Sequence, residues 1–212
     1  MLDNPLVYFG CLIVAVILHE ISHGVVALFF GDDTAKRAGR LTLNPLPHID
    51  PFGSIIMPAF GALTGVPVIC WAKPVPVNPQ QLRHPRRNML WVGLVGPFTN
   101  FALMIASAFV ARSLYQSYSV HPFSVGDYPL AFQIALTFAL ANLFLGVFNL
   151  LPIPPLDGSS LLERILPESW LPGWYKFRPY GILLLFALIF FTPILSTLIS
   201  PLEEDLRRFI VT

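Results

Sequence analysis

Residues 6–30 read LVYFGCLIVAVILHEISHGVVALFF, an apolar run of 25 residues that contains one charged side chain, Glu20. A helix that crosses the hydrocarbon core of a bilayer needs about 20 predominantly apolar residues, so this run is long enough to span a membrane. It is too long for the apolar core of a signal peptide, and no small-residue cleavage site follows it. We therefore predict a retained transmembrane helix over residues 6–30.

Apolar residues are also abundant in the rest of the chain. Of the 212 residues 55% are hydrophobic and 12% are charged, roughly half the usual charged share of about 25%. Asp, Glu, Lys and Arg are absent from four further stretches, residues 51–72, 88–111, 128–156 and 180–202. These features predict a multi-pass protein whose partner is the lipid bilayer. The net charge of +1 excludes a basic surface of the size that nucleic acid requires, and two cysteines in apolar stretches exclude a cysteine-based zinc site.

The basic residues indicate how the chain crosses the membrane. Loops 31–50 and 73–87 together carry seven of the 13 Lys and Arg residues, and short cytoplasmic loops accumulate these residues. If residues 51–72 crossed the membrane, the two basic loops would lie on opposite sides. We therefore predict that this Gly- and Pro-rich segment enters and returns as a re-entrant segment, with a β-hairpin as one alternative. Non-helical backbone at membrane depth must line protein or a wet cavity.

The resulting fold class is an all-α polytopic membrane protein with one membrane-embedded domain, residues 1–212. Its four transmembrane helices are expected near residues 6–30, 88–111, 128–150 and 180–200, with the N-terminus outside.

The first span contains the pattern H-E-x-x-H at His19, Glu20 and His23. Positions i and i+4 share one helix face, so both imidazoles can bind one Zn²⁺ at about 2.0–2.1 Å. Glu20, one residue further on, can act as the general base for a water that zinc activates. Ionisable groups at this depth cost roughly 2.5–3.5 kcal/mol each in lipid, and a metal ion is the simplest partner for them. The motif therefore predicts one zinc ion per chain.

A catalytic zinc usually has three protein ligands and one open position. The candidates for the third ligand are Asp157, His48, Asp50, His84, His121 and Asp127. In the four-span topology the first and third spans run in the same direction, and Asp157 follows the inner end of the third span. A five-span chain would place Asp157 on the opposite side from the histidines. Asp157 is therefore favoured, and His48 and Asp50 are its main rivals, although both fit a polar loop better.

Five motifs in order extend the pattern to most of the chain. They are LHEISHG at 18–24, GRLTLNPLPHIDPFGS at 39–54, AKPVPVNP at 72–79, GPFTN at 96–100 and FNLLPIPPLDG at 148–158. With these motifs the chain resembles the site-2 protease family of intramembrane zinc metalloproteases. The resemblance implies that His19, His23 and Asp157 bind zinc and that Glu20 is catalytic. The chain lacks room for the PDZ or CBS domains that some members carry, so we expect a short bacterial-type member. We expect it in the cell membrane, with the active site on the cytoplasmic side that the basic loops indicate.

Three asparagines in apolar stretches are further candidates. Asn100 ends GPFTN, Asn149 precedes Asp157 by eight residues, and Asn142 lies one heptad before Asn149. Buried amides in lipid form hydrogen bonds across helices, which is the favoured interpretation for Asn100 and Asn142. Binding of substrate backbone or of the developing oxyanion is the alternative, and it is favoured for Asn149. Gly96, in GPFTN, is expected to allow close packing or a kink.

The function predicted from these residues is zinc-dependent endopeptidase cleavage in or near a transmembrane segment of a membrane protein, as in regulated intramembrane proteolysis. A substrate helix must unwind to expose its carbonyl groups, and part of residues 53–77 is expected to pair with the unwound strand by β-augmentation. The alternative is a non-catalytic zinc-binding membrane protein or transporter. Glu20 favours the enzyme, because a metal carrier does not need a carboxylate between its two histidines.

Overall fold

The computed structural model describes residues 5–57, 60, 63, 72–118 and 128–212. Its α-helices in this part of the chain, numbered in order, are α1 Pro5–Phe29, α2 Thr34–Arg37, α3 Pro85–Tyr118, α4 Leu130–Asn149, α5 Ser159–Ile165, α6 Leu171–Phe177, α7 Gly181–Phe191 and α8 Ile194–Val211. Short 3₁₀ turns lie at Leu46–His48, Pro79–Gln81, Glu168–Trp170 and Arg178–Tyr180. None of the described residues forms a strand.

Four helical runs are long and apolar enough to cross a membrane: Pro5–Phe29, Pro85–Tyr118, Leu130–Asn149 and Glu168–Phe191. The prediction of an all-α, multi-pass membrane protein is therefore confirmed. Helix α3 has 34 residues, or about 51 Å at 1.5 Å per residue, so it extends well beyond a hydrocarbon core of about 30 Å.

Helices α1, α3 and α4 pack against one another and form the centre of the molecule. Small side chains make these contacts possible: Ala15 and Ala27 of α1 and Ala139 of α4 are completely buried. In lipid, small residues at helix interfaces allow the close van der Waals packing that holds helices together. Large apolar side chains are exposed instead, as expected of a surface in contact with lipid; they include Leu6, Phe29, Phe109 and Phe191.

The fourth apolar run begins and ends earlier than the 180–200 expected from the sequence. The run can start at Glu168 because prolines 172 and 179 do not interrupt it. Each proline lies in the first turn of a helical segment, α6 or the following 3₁₀ turn, where a missing N–H is tolerated. It ends at Phe191, and α8 begins after Pro193. Helix α8 then packs against α3 and α4, with Ile210 buried and the Arg112 guanidinium 4.8 Å from the centre of the Phe209 ring.

The predicted re-entrant segment, residues 51–72, is described only in part. Pro51–Ile56 forms a π-helix, and Asp50 caps it by accepting hydrogen bonds from the N–H groups of Phe52 and Gly53. Residues 57, 60 and 63 are helical too. The β-hairpin alternative is thus not seen in the described residues of this segment, and residues 58–59, 61–62 and 64–71 lie outside them.

Residues 72–78, here called the strap, cross the end of α1 and are fixed by the preceding loop. The N–H of Lys73 donates to the His48 carbonyl oxygen at 2.9 Å, and the Arg40 guanidinium donates to the Lys73 carbonyl oxygen at 2.6 Å. Further along, the N–H of Asn78 donates to the Asp32 carboxylate at 2.6 Å. The polar loop after α1 therefore holds the strap in one place.

Asp32 is the completely buried anchor of this arrangement. Its second carboxylate oxygen accepts a hydrogen bond from the N–H of Thr34 at 3.0 Å. Burial by itself would raise the pKa of Asp32, but the hydrogen bonds from Thr34 and Asn78 outweigh it and hold the pKa below its ordinary value. Asp32 is thus an ionised group that joins the end of α1 to the strap.

Candidate metal centre

Helix α1 presents His19 and His23 on one face, one turn apart and both buried. Their Nε2 atoms lie 3.0 Å from each other. The Oδ2 atom of Asp157 lies 3.1 Å from Nε2 of His19 and 3.3 Å from Nε2 of His23. Tetrahedral zinc with bonds of about 2.0–2.1 Å separates its ligand atoms by about 3.3 Å. The three atoms therefore stand at the spacing of one face of a zinc coordination tetrahedron.

Asp157 reaches this place through a turn that folds back on α4. The helix ends at Asn149, and the N–H of Gly158 donates to the Asn149 carbonyl oxygen at 2.7 Å. A Cβ on Gly158 would collide with the carbonyl oxygen of Leu150, so glycine is required at this close approach. The Pro-rich turn thereby returns Asp157 to the centre of the bundle.

A chain of amides fixes the tautomer of His19. Asn142 donates from Nδ2 to the Phe138 carbonyl oxygen at 2.9 Å, which leaves its Oδ1 to accept from Asn100 Nδ2 at 2.8 Å. Asn100 Oδ1 then faces His19 Nδ1 at 2.6 Å. A carbonyl oxygen can only accept a hydrogen bond, so the orientation of Asn142 determines that of Asn100. The oxygen of Asn100 therefore accepts from His19, and His19 Nδ1 must carry the proton. Its Nε2 is left with a lone pair toward Asp157, as a metal ligand requires.

His23 is oriented in the same way by a backbone group. Its Nδ1 lies 2.5 Å from the carbonyl oxygen of Val92, so Nδ1 donates and Nε2 again carries the lone pair. The Oδ2 of Asp157 is likewise a buried oxygen without a hydrogen-bond donor. The lone pairs of these three atoms repel one another, because the atoms lie only 3.0–3.3 Å apart. A divalent cation between them removes this repulsion, so the donor set fits zinc.

Gly96 makes the room for this arrangement. A Cβ at this position would lie 2.5 Å from both His19 Cε1 and His23 Nε2, so any side chain would push into both imidazoles. The sequence predicted close packing or a kink at Gly96. The structure shows that the close packing is against the two histidines themselves, a role that the position of Gly96 in GPFTN did not reveal.

Glu20 lies beside the cluster and has a different partner. Its Oε2 accepts a hydrogen bond from the backbone N–H of Val75, in the strap, at 2.7 Å. Nothing in the sequence indicated this contact, because Val75 is an ordinary apolar residue 55 positions away.

The asparagines fall into two groups. Asn100 and Asn142 are 0% exposed and join α1, α3 and α4, which is the helix-to-helix contact favoured for them. Asn149 is half-buried, and its Nδ2 donates to the Leu145 carbonyl oxygen of its own helix at 3.0 Å. For Asn100 to bind an oxyanion, its Nδ2 would first have to break its hydrogen bond to Asn142. Asn149, at the end of α4, stays a candidate for binding substrate or the oxyanion.

The rival third ligands lie elsewhere. His48 is buried, with Nε2 3.0 Å from the Thr42 carbonyl oxygen, and Asp50 caps Pro51–Ile56. Within the described ranges, His19, His23 and Asp157 form the only group of three or more His, Cys, Asp or Glu residues close enough to hold a metal ion. His121 and Asp127 are outside those ranges.

A polar cavity of about 80 Å³ lies against Asp157. Charged and hydroxyl side chains line it, among them Arg86, Ser160, Glu163 and Arg178. This volume is enough for several water molecules. The cluster is therefore buried in the bundle, and its Asp157 side borders a cavity large enough to hold water.

Comparison with known proteins shows the family of the chain. The model of peptidase family M50 matches residues 121–191, which include Asp157. The Bacillus subtilis protein "Putative zinc metalloprotease YwhC" is 38% identical over 194 residues, covering 90% of this chain and 83% of that protein. The chain belongs to peptidase family M50.

Two further relatives of this M50 protein are longer. "Putative zinc metalloprotease Rip2" of Mycobacterium tuberculosis is 34% identical over 175 residues, 78% of this chain and 62% of its own length. "Zinc metalloprotease MJ0392" of Methanocaldococcus jannaschii is 27% identical over 170 residues, 80% of this chain and 37% of its own length. The M50 protein thus spans less than two thirds of either relative. No solved structure matches it.

The predictions of a site-2 protease family member, a zinc cofactor and a metalloprotease activity are confirmed. The M50 protein is a multi-pass membrane metalloprotease, and its environment is the lipid bilayer.

Proposed function

We propose that this M50 protein is an intramembrane endopeptidase that hydrolyses a peptide bond in or near a transmembrane segment of a membrane protein. The observation that carries the proposal is the depth of the cluster in α1. His23 and His19 precede the end of α1 at Phe29 by six and ten residues, or about 9 and 15 Å along the helix. Since half of the hydrocarbon core is about 15 Å thick, a peptide bond that reaches this cluster lies within the bilayer.

In this proposal His19, His23 and Asp157 hold the zinc ion, and Glu20 is the general base. Bound zinc supplies Lewis acidity for the attacking water and the scissile carbonyl group. Glu20 takes a proton from the attacking water and passes it to the leaving amine. Asn149, at the end of α4, is the candidate for binding the substrate backbone or the oxyanion.

The cavity beside Asp157 supports delivery of water from one face of the membrane. The two segments between the apolar runs at this end of the bundle, residues 31–50 and 73–87, carry seven basic residues: Lys36, Arg37, Arg40, Lys73, Arg83, Arg86 and Arg87. Basic loops favour the cytoplasmic side, so the proposal includes an active site that opens toward the cytoplasm. The relatives in B. subtilis and M. tuberculosis support a bacterial cell membrane as its location.

The substrate helix must unwind at the cleaved bond, and part of residues 53–77 is proposed to pair with it. The strap limits how this pairing can occur. Pro74 and Pro76 have no N–H, and the N–H groups of Lys73 and Val75 already donate to His48 and Glu20. In the described residues 73–77, only Val77 keeps an N–H that is not committed to another described residue. The strap would therefore accept hydrogen bonds from substrate more than donate them.

Replacement of Val77 by proline tests this pairing. The substitution removes the remaining donor without touching the zinc ligands, so we expect a higher KM with zinc retained. An unchanged KM would exclude the Val77 N–H from substrate pairing and would leave only pairing through carbonyl oxygens of the strap.

The direct test of the proposed function is Glu20→Gln. The substitution keeps the shape of the side chain but removes the base, so cleavage of a transmembrane reporter should be abolished while zinc content and fold are kept. Glu204→Gln, on an exposed carboxylate paired with Arg208, is the matched control and should cleave normally. Cleavage by the Glu20→Gln protein would contradict the general-base role, and absence of zinc-dependent cleavage by the wild-type protein would favour the non-catalytic alternative.

A further inference from the structure

The geometry points to the backbone N–H of Val75 as the group that positions the Glu20 carboxylate for catalysis. This inference rests on the general-base role proposed for Glu20. Its central observation is the hydrogen bond from Val75 N to Glu20 Oε2 at 2.7 Å, between residues 55 positions apart. Val75 is buried and Glu20 is half-buried, so the bond is partly shielded from water, and hydrogen bonds to ionised acceptors are stronger than those between neutral groups.

The sequence of the strap makes Val75 the residue that donates an N–H to Glu20. Prolines on both sides, Pro74 and Pro76, have no N–H and restrict the backbone. Hydrogen bonds hold both ends of the strap to the loop after α1. Lys73 at one end bonds to His48 and Arg40, and Asn78 at the other end bonds to Asp32. The loop and the strap together therefore bring one N–H to Glu20.

Gly24 allows the strap to lie against α1. It lies four residues after Glu20 and so on the same face of the helix. A Cβ at Gly24 would lie 3.0 Å from the Val75 Cγ1 atom and 2.5 Å from Leu41, so a side chain would push both away from α1. The glycine that follows the H-E-x-x-H motif is thus explained by the approach of the strap.

The consequence for the reaction concerns the two oxygens of Glu20. Val75 restrains Oε2, which leaves Oε1 to exchange the proton with water and the leaving amine. Loss of the Val75 N–H would let the carboxylate rotate away without disturbing His19, His23 or Asp157. Val75 is accordingly a positioning residue that acts through Glu20.

Hydrogen exchange tests the bond without any catalytic turnover. In residues 74–77 only Val75 and Val77 carry an N–H, so peptides resolved to this segment report on two amides. We expect the Val75 amide to exchange more slowly than that of Val77, and Glu20→Ala to accelerate Val75 while Val77 and α4 stay unchanged. Glu20→Gln keeps an accepting oxygen and should accelerate Val75 less. Exchange at Val75 that does not respond to Glu20→Ala would overturn the inference.

Kinetics test the consequence. Val75→Pro removes the N–H, and Val75→Ala keeps the N–H but removes most of the side chain. We expect Val75→Pro to lower kcat about 10- to 100-fold relative to Val75→Ala, with KM within about twofold and zinc content equal. Equal kcat values for the two variants would refute the positioning role. This failure differs from failure of the proposed function, which would appear as absence of zinc-dependent cleavage by the wild-type protein.

Discussion

Replacing Gly96 by alanine should weaken zinc binding strongly, because the added methyl group would collide with the imidazoles of His19 and His23. The new Cβ would lie 2.5 Å from His19 Cε1 and His23 Nε2, where ordinary contact begins at 3.4 Å. The imidazoles and α3 must therefore separate by about 0.9 Å in total. Zinc sites tolerate deviations of only about 0.2 Å in ligand distance, and loss of one outer partner already costs about 10- to 100-fold in metal affinity. We expect zinc affinity to fall at least about 100-fold.

The assay is competition for zinc between the purified protein and a chromophoric chelator in detergent. Gly10→Ala is the matched control, because Gly10 lies in α1 and has nothing within 4 Å of its Cβ position. Retention of wild-type fold by Gly96→Ala is checked from its helix content and its elution as a single species. Zinc affinity within about threefold of wild type would refute the packing account of Gly96.

Two further predictions concern the supports of the site. Asn100→Leu removes the acceptor for His19 Nδ1 and should weaken zinc binding about 10- to 100-fold, whereas Asn149→Leu should leave zinc affinity nearly unchanged; equal effects in a chelator titration would contradict the amide chain. Asp32 stabilises the strap in its ionised form, since its pKa is lowered in the folded protein. This stabilisation is therefore present at neutral pH and is lost as the pH falls below the ordinary pKa of an aspartate and through the lowered one. Asp32→Asn should make the strap sensitive to protease already at pH 7, and protection of the strap in this variant would contradict the anchor role.

The sequence predicts the parts of the site that depend on local spacing. His19 and His23 share a face because they are four residues apart, and the apolar runs together with the positions of the basic loops give four spans. The approach of Asp157 follows from topology, because parallel first and third spans bring their inner ends together. These features need only the periodicity of a helix and the direction of each crossing.

The remaining parts depend on the register between distant segments, which no local pattern contains. The position of Asn100 beneath His19 requires the rotation and height of α3 relative to α1. The contact of Val75 with Glu20 requires the path of a proline-rich loop over 55 residues. The early start of the fourth run is not indicated by the sequence, because Lys176 and Arg178 precede the charge-free stretch 180–202. Only the structure shows that prolines 172 and 179 occupy first-turn positions, where proline is favourable.

The central claim is that the two imidazoles of α1 and the Asp157 carboxylate hold one zinc ion together. X-ray absorption at the zinc edge of the purified protein tests it most directly, alongside zinc content per chain. The account predicts one zinc with only nitrogen and oxygen neighbours at about 2.0–2.1 Å, two of them imidazoles, and loss of the ion in the Asp157→Ala protein. A sulfur neighbour at about 2.3 Å, or an unchanged spectrum after Asp157→Ala, would contradict it.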